Sequence, residues 1–600
     1  MKKSNKGISH SIVSPMAAAV VSVAVKSGQD VEQGEIIATI ESMKMQTAIE
    51  TPVSGNIIDV NVIVGETIQS DHEICRIEES IGSSPTIKKT QSKAVDTRNP
   101  LDTLNQELQS SLDSGRTKAV SKRHAKGYRT ARENLHQLCD DGSFIEYGQL
   151  AVAAQRDRMT AEKLKSDTAA DGVITGLATI NRDQFGEHAT QVAVVINDYT
   201  VLAGTQGYFH HRKIDRILDQ AKRSFLPVVM YTEGGGGRPG DTDVKIQIAG
   251  LDVPTFATWA SLSGQVPMIA VNNGYCFAGN AALFGCGDIR IATKSSWIGM
   301  AGPAMIEGGG LGSFSPTDIG PIKIQAENGV VDLVADDENH ATELAKQCLS
   351  YFQGDNEDWQ CTDQLALRDM MPADRRYVYD VRSIITSLVD TESFIELTKD
   401  YGCAVITGFA RIEGRAIGLI ANDCRMLGGA VDAEAAEKTA RFITLCDNFD
   451  IPILSLCDSP GFMVGPASEE QAAVRRMAQL FVAGAKLSTP LVTIFLRRGY
   501  GLGAMAMAGG SFHKPIYSAS WPSGEFGGMG LEGAVRLGFK KELEAVADKE
   551  ERETLFAQLL EQMYEQGKAT EAASHLEIDA VIDPADTRGV IVRAFDSRLN

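Results

Sequence analysis

The chain repeats itself at two lengths, and this restricts its possible folds more than any other feature. "VITGLATI" (173–180) resembles "VITGFARI" (405–412). Farther on, two copies run at an offset of 225 residues. Asn197 meets Asn422, Asp198 meets Asp423, Lys213 meets Lys438, Pro227 meets Pro452, Glu233 meets Asp458, Gly274 meets Gly499 and Glu307 meets Glu532. A unit this long is a duplicated domain rather than a solenoid repeat. Within it, apolar strand runs alternate with amphipathic helices, the pattern of an α/β fold. Two such copies can build one site where they face each other, or between neighbouring subunits.

A second, shorter repeat lies ahead of it. Residues 14–41 match 51–78 at an offset of 37, with Pro15 on Pro52, Val23 on Val60, Gly28 on Gly65, Val31 on Ile68 and Ile40 on Ile77. Alternating β-branched residues with turn glycines make each half a set of short strands. Two such sets can pair about a pseudo-twofold axis into a small flattened barrel. Residues 42–50 join the halves, which puts Lys44, between Met43 and Met45, in an exposed hairpin. By itself, a lysine there is a solvated turn residue. Centred on a repeat, it reads as a handle, because a primary amine on a protruding turn can be acylated. Residues 79–105 are rich in Ser, Thr and Lys and read as a flexible tether. About twenty such residues span roughly 25 Å.

Composition removes several classes of function. A net charge of -20 argues against sequence-independent nucleic-acid binding. The ten cysteines are scattered without a CxxC pair, so no zinc ribbon, redox motif or metal site is expected. No run of about eighteen apolar residues suggests a membrane helix. The N-terminal stretch has no clean signal-peptide core, so a cytoplasmic location is expected.

Chemistry is suggested by two glycine-rich segments. "PMIAVNNGYCFAGNAALFGCGD" (267–288) and "PLVTIFLRRGYGLGAMAMAGG" (490–510) each run from a strand through small residues into a helix. Small residues admit a ligand close to the backbone, and a helix start leaves N–H groups free, as an oxyanion hole requires. Gly501 to Ala506 also fits a dinucleotide loop. The first copy lacks that pattern, and Glu525 is not at a strand end, which weighs against a nucleotide. No Ser/His/Asp or Cys/His set stands out.

These residues carry two resemblances. Residues 13–79 resemble the biotinyl carrier domain of biotin-dependent carboxylases, marked by a methionine-flanked lysine. Related lipoyl domains usually have Asp or Thr before the lysine, and Ser42 replaces the usual Ala. Residues 105–595 resemble the two-lobed, crotonase-like carboxyltransferases of acyl-CoA carboxylases, of the acetyl-/propionyl-CoA carboxylase beta type. "FITLCDNFDIPILSLCDSPGFMVG", "RRGYGLGAMAM" and "WPSGEFGGMGLEGAV" carry it, with the family's Asp-x-Pro-Gly-Phe at Asp458–Phe462. The chain departs from the family at Cys276-Phe277-Ala278-Gly279-Asn280 and at Tyr500-Gly501-Leu502-Gly503. Those departures bear on the acyl group more than on the reaction.

The resemblance implies an α/β fold: a duplicated ββα superhelix behind a small all-β domain. The expected boundaries are tail 1–12, carrier 13–79, linker 80–105, N-lobe 106–385 and C-lobe 386–600. It implies biotin bound covalently to Lys44, with Met43 and Met45 beside it, loaded by a biotin protein ligase. It implies transfer of a carboxyl group from carboxybiotin to the α-carbon of an acyl-CoA. Backbone N–H groups of Ala278 and Gly279, next to Asn280, and of Leu502 and Gly503, next to Gly501, would hold the two oxyanions. A separate biotin carboxylase subunit and a homo-oligomer, a hexamer in the family, are implied. An acyl-CoA decarboxylase or transcarboxylase would use the same motifs, and a non-catalytic biotinylated scaffold is a third reading. The basic stretch His210–Lys213 is either a contact for CoA phosphates or a solvated helix face. Glu233 shapes a pocket or a turn. Asp458 orders a loop or caps a helix. Glu307 and Glu532 read as shared structure.

Overall fold

The computed structural model describes residues 8–80, 99–243 and 250–597. Two compact units divide it, Met1–Arg98 and Asn99–Asn600. Most of the expected tether (81–98) and the start of the expected tail (1–7) lie outside the described residues.

The first unit is eight strands: β1 Ser9–Val13, β2 Ala18–Val23, β3 Asp30–Val31, β4 Ile36–Ser42, β5 Met45–Glu50, β6 Gly55–Val60, β7 Thr67–Ile68 and β8 Glu73–Glu79. They form two sheets, β1-β8-β6-β3 and β5-β4-β2-β7. A shift of 37 residues turns β1 into β5, β2 into β6, β3 into β7 and β4 into β8, so it exchanges the sheets. This is the pseudo-twofold expected from the repeat. Its extent corrects the reading in two places. Strand β1 lies mostly within the expected tail, and residues 45–50 are its counterpart β5 rather than a connector. Ile12 and Ile49 are the one matched apolar pair, both buried, too little for the pattern to show in sequence. Equivalent residues fill the core: Ile37 with Ile74, Ile40 with Ile77 and Val20 with Ile57.

The second unit holds both large copies. The N-lobe strands are β9 Ile145–Tyr147, β10 Val173–Thr179, β11 Gln191–Asn197, β12 Val228–Tyr231, β13 Met268–Asn272, β14 Tyr275–Phe277, β15 Ile289–Thr293, β16 Trp297–Gly299 and β17 Leu333–Ala335. The C-lobe strands are β18 Ile395–Leu397, β19 Val405–Ile412, β20 Arg415–Asn422, β21 Ile453–Ser459, β22 Leu491–Tyr500, β23 Tyr517–Ser520, β24 Glu525–Gly527 and β25 Ala580–Val581. The orders correspond: β9-β10-β11-β12-β13-β15-β17, and β18-β19-β20-β21-β22-β23-β25. In each, two antiparallel pairings lead into a parallel sheet. Such strands are covered on both faces, which is why β12, β13 and β21 are buried at every residue. One apolar core runs through both lobes, joining Ile291 and Leu349 to Phe409 and Phe442. Across the lobes, Arg441 pairs with the buried Asp332 at 2.7 Å, beside Arg290 at 3.0 Å. Burial opposes the Asp332 charge, but the two arginines prevail and hold its carboxyl well below the usual range.

Two expected boundaries move. Residues 100–105 belong to the helix Pro100–Ser110, not to the linker. The lobe boundary at 385/386 would cut the helix Val381–Leu388, whose Val381, Ile384, Ile385 and Leu388 pack with Ile406 and Leu419 of the C-lobe. The offset moves too. Ala193 N–H bonds Pro227 O as Gly418 N–H bonds Pro452 O, an offset of 225. Val228 N–H bonds Pro267 O as Ile453 N–H bonds Pro490 O, so the offset there is 223. Phe277 pairs with Gly299 and Tyr500 with Gly527, which makes it 228 by β16 and β24. Gly274 and Gly499, and Glu307 and Glu532, are therefore not equivalent residues.

Candidate active site

In the N-lobe, Asn272 Nδ2 donates to Gly274 O at 2.7 Å and turns the chain into β14. Ala278 follows at φ 52°, and the helix Gly279–Gly285 begins. In the C-lobe, β22 continues unbroken to Tyr500, Gly501 follows at φ 58°, and the helix Gly501–Met507 begins. Ala278 thus corresponds to Gly501, Gly279 to Leu502 and Asn280 to Gly503. This corrects the expected donor pair. The Ala278 N–H already donates to Gly299 O at 3.1 Å, so it is not open to a substrate oxygen. The groups matching Leu502 and Gly503 are Gly279 and Asn280, whose N–H groups open the helix without intrahelical acceptors. One of these places requires glycine: a Cβ at Gly503 would run into the backbone of Gly461, whereas one at Gly279 would meet first the end of the Gln206 side chain.

A second wall escaped the sequence reading. Leu202, Ala203 and Gly204 have φ of 47°, 55° and 63°, and Leu427, Gly428 and Gly429 have 50°, 65° and 83°. Three consecutive left-handed residues are costly, and recur where a loop must aim its backbone. The N–H groups of Ala203 and Gly428 meet no acceptor among the described residues. In the N-lobe this loop reaches the glycine run: Gly235 N–H donates to Ala203 O at 3.1 Å, and Gln206 N–H to Gly236 O at 2.8 Å. The only sequence signal is "VLAG" (201–204) against "MLGG" (426–429) at the 225 offset.

Charged groups brace these loops. Arg123 binds Glu233 through both nitrogens, at 2.9 and 2.7 Å. Burial raises the Glu233 carboxyl, against the pull of Arg123. Asp458 accepts from Arg497 at 2.9 Å, Arg498 at 2.7 Å and Tyr379 Oη at 3.0 Å. Despite its burial, Arg498 and Arg497 hold the Asp458 carboxyl low. Arg498 Nη2 then donates to Gly428 O at 2.8 Å, so Asp458 orders the donor loop and does not cap a helix.

The basic stretch is not a phosphate contact at two of its four residues. His210 is buried, with Nδ1 against Asp171 O. Lys213 Nζ donates to Ala170 O at 2.9 Å, and its counterpart Lys438 donates to Thr398 O and Tyr401 O at 2.9 Å. Glu525 accepts from Tyr500 Oη at 2.9 Å and Glu532 from Tyr564 Oη at 2.7 Å, while Glu307 is exposed. A cavity of about 810 Å³ opens beside the N-lobe loop. Its walls include Ala203, Glu233, Tyr199 and Tyr275, with Arg116, Lys118, Lys122, Arg123 and Lys126. The C-lobe has its own cavity of about 360 Å³, lined by Gly501, Met505, Phe512 and Phe526.

In the first unit, Ser42 pairs with Met45 across a two-residue turn, Met43 at φ 50° and Lys44 at φ 67°. Such I′ turns favour Asn-Gly. Here two long side chains are held left-handed, and Met43 is 96% exposed. The tip fits a covalently carried group: Lys44 stands exposed at the end of a tight two-residue hairpin. Among the described residues, no helix is long and apolar enough to cross a membrane, and no cluster of His, Cys, Asp or Glu could hold a metal.

Comparison with known proteins agrees with this geometry. Residues 122–600 match the carboxyl transferase domain family, and residues 10–77 match the domain described as biotin-requiring enzyme. The propionyl-CoA carboxylase beta chain of Saccharopolyspora erythraea is 32% identical over 506 residues, 81% of this chain and 90% of that one. The structure of a single-chain, multi-domain long-chain acyl-CoA carboxylase is 49% identical, with a TM-score of 0.80. The match covers 99% of this chain, which spans 56% of that one. The hexameric transcarboxylase 12S structure, with methylmalonyl-CoA bound, is 29% identical with a TM-score of 0.73, covering 85% of this chain and 96% of that one. The chain belongs to the carboxyl transferase domain family, as a biotin-dependent acyl-CoA carboxyltransferase fused to its own biotin carrier domain.

Proposed function

We propose that this chain is the carrier and carboxyltransferase part of an acyl-CoA carboxylase, with biotin on Lys44. The observation that carries the reading is the repeated donor site: equivalent left-handed residues, Ala278 and Gly501, each followed by free N–H groups. Biotin on Lys44 would supply a ureido nitrogen that carries CO₂. The N-lobe takes the acyl-CoA, because Lys118, Lys122 and Lys126 line its cavity beyond the already paired Arg116 and Arg123, which suits a polyanionic coenzyme, and Ala203 lies at its wall. The N–H groups of Ala203, at that wall, and of Gly279, at the start of the helix behind β14, serve the thioester oxygen and stabilise charge as the α-carbon becomes enolate-like. The Leu502 and Gly503 N–H groups, with Gly428, serve the ureido oxygen in the C-lobe. Losing one such donor costs about 10²- to 10³-fold in rate.

The likeness to the long-chain acyl-CoA carboxylase supports a long acyl chain, and the likeness to the 12S hexamer supports an oligomer. A biotin carboxylase and a biotin protein ligase complete the cycle. The biotinylated protein, a biotin carboxylase, ATP and labelled bicarbonate should label a long-chain acyl-CoA. No label in any acyl-CoA, short or long, overturns the reading. Label passing only between two acyl-CoAs, without ATP, would mark a transcarboxylase.

A further inference from the structure

The two donor loops share a backbone but are tied down differently. In the C-lobe, Asn422 Nδ2 donates to Gly429 O at 3.2 Å and Arg498 Nη2 to Gly428 O at 2.8 Å. The N-lobe has neither tie. Asn197 stands where Asn422 does, yet its Oδ1 is buried without a partner. Tyr275 stands where Arg498 does and stacks on Trp297 instead.

The N-lobe loop is held from the helix. Asn280 Nδ2 donates to Gly204 O at 3.4 Å, and Asn280 Oδ1 accepts from Gly236 N–H at 2.9 Å. The amide orientation is settled by its partners, since an N–H only donates and a carbonyl only accepts. The side chain is fully buried. A Cβ at Gly234 would run into both Gly204 O and the Asn280 amide, so three backbone segments converge on this side chain. The corresponding C-lobe residue, Gly503, has no side chain to offer.

We infer that Asn280 is a positioning residue: its carboxamide sets the spacing between the Ala203 N–H on the loop and the Gly279 N–H on the helix. It thereby sets how strongly the N-lobe polarises an acyl thioester. This rests on the N-lobe binding acyl-CoA.

The test uses the full-length biotinylated protein and an acyl-CoA carrying ¹³C at the thioester carbonyl. Wild type should lower the infrared carbonyl frequency of the bound thioester. Asn280→Ala should lose most of that shift and up to about 100-fold in kcat, as expected for a misplaced donor. Its Kd for acyl-CoA should change less than about threefold, since ground-state binding is mostly elsewhere. Asn280→Leu keeps the size but loses both hydrogen bonds without opening a cavity, so it should lose the shift and the rate as alanine does; it carries the test if the alanine variant does not fold. Wild-type frequency and kcat in both variants would overturn the inference. Absence of a shift in wild type would instead overturn the acyl-CoA reading of the N-lobe, and this inference with it.

Discussion

Ala278 and Gly501 occupy the same place in the two lobes, both left-handed at φ 52° and 58°, one with a Cβ and one without. Both positions carry a positive φ at the helix start, although only one of them is glycine. A non-glycine residue in such a conformation costs about 1–3 kcal/mol. Additional glycine freedom in the unfolded chain costs about 0.4–1 kcal/mol. The first effect is the larger, so Ala278→Gly should raise the melting temperature while leaving carboxyl transfer intact. The reverse change, Gly501→Ala, puts a Cβ 3.0 Å from Gly528 O and should lower both stability and transfer. Thermal melts and initial rates of the two variants decide it.

The C-lobe helix start separates backbone from side chain. Leu502 is 60% exposed, so Leu502→Ala keeps its N–H and should keep the transfer rate within a few-fold. Gly503→Ala forces a Cβ into the Gly461 backbone and should cost about 10²- to 10³-fold in transfer, the price of losing a preorganised donor. Equal rates in the two variants would show that these N–H groups do not hold an oxyanion.

Asp458 is the counter-ion of two arginines inside the C-lobe. Asp458→Ala leaves Arg497 and Arg498 without it and should cost about 3–5 kcal/mol, read by urea unfolding. Its folded pKa lies below the unfolded one, so its stabilising contribution is present above the unfolded carboxylate pKa. It is lost as pH falls through the folded value. The acid side of the stability profile should therefore flatten in the variant.

Lys213 and Lys438 predict the opposite limb. Burial pushes both amines down to about 8 from an ordinary 10.5. Below pH 8 both states are charged and stability does not depend on these groups. Between about 8 and 10.5 the unfolded chain binds the extra proton, so stability rises with pH. The slope is at most about 1.4 kcal/mol per pH unit for each lysine. Lys213→Met should remove one lysine's share of that slope; an unchanged alkaline slope would refute the assignment.

The hairpin tip makes a covalent prediction. Intact mass should show one biotin per chain, absent in Lys44→Ala. Met43→Gly relieves a left-handed residue and should stabilise the first unit, yet slow biotinylation if the exposed methionine is part of what the ligase reads. Full biotin on Lys44→Ala would place the cofactor elsewhere.

The sequence alone determined the two duplications, the all-β and α/β classes, the exposed lysine and both glycine segments. Each rests on a local signal: an alternation, a turn glycine, or a motif that survives translation along the chain. Register was less legible. Between residues 233 and 267 the lobes differ in length by two residues, and by β16 the difference has reversed, so one offset could not align both glycine segments. The Ala203 and Gly428 loops were not legible either, because a left-handed course depends on what packs against it and carries little composition of its own. Only the tertiary structure decided which N–H groups are free. The Ala278 N–H is taken by Gly299, and Asn280 reaches Gly204 and Gly236 across 76 and 44 residues of chain. Hydrogen-bond satisfaction is a property of the folded surroundings, since each donor needs an acceptor that local sequence cannot supply.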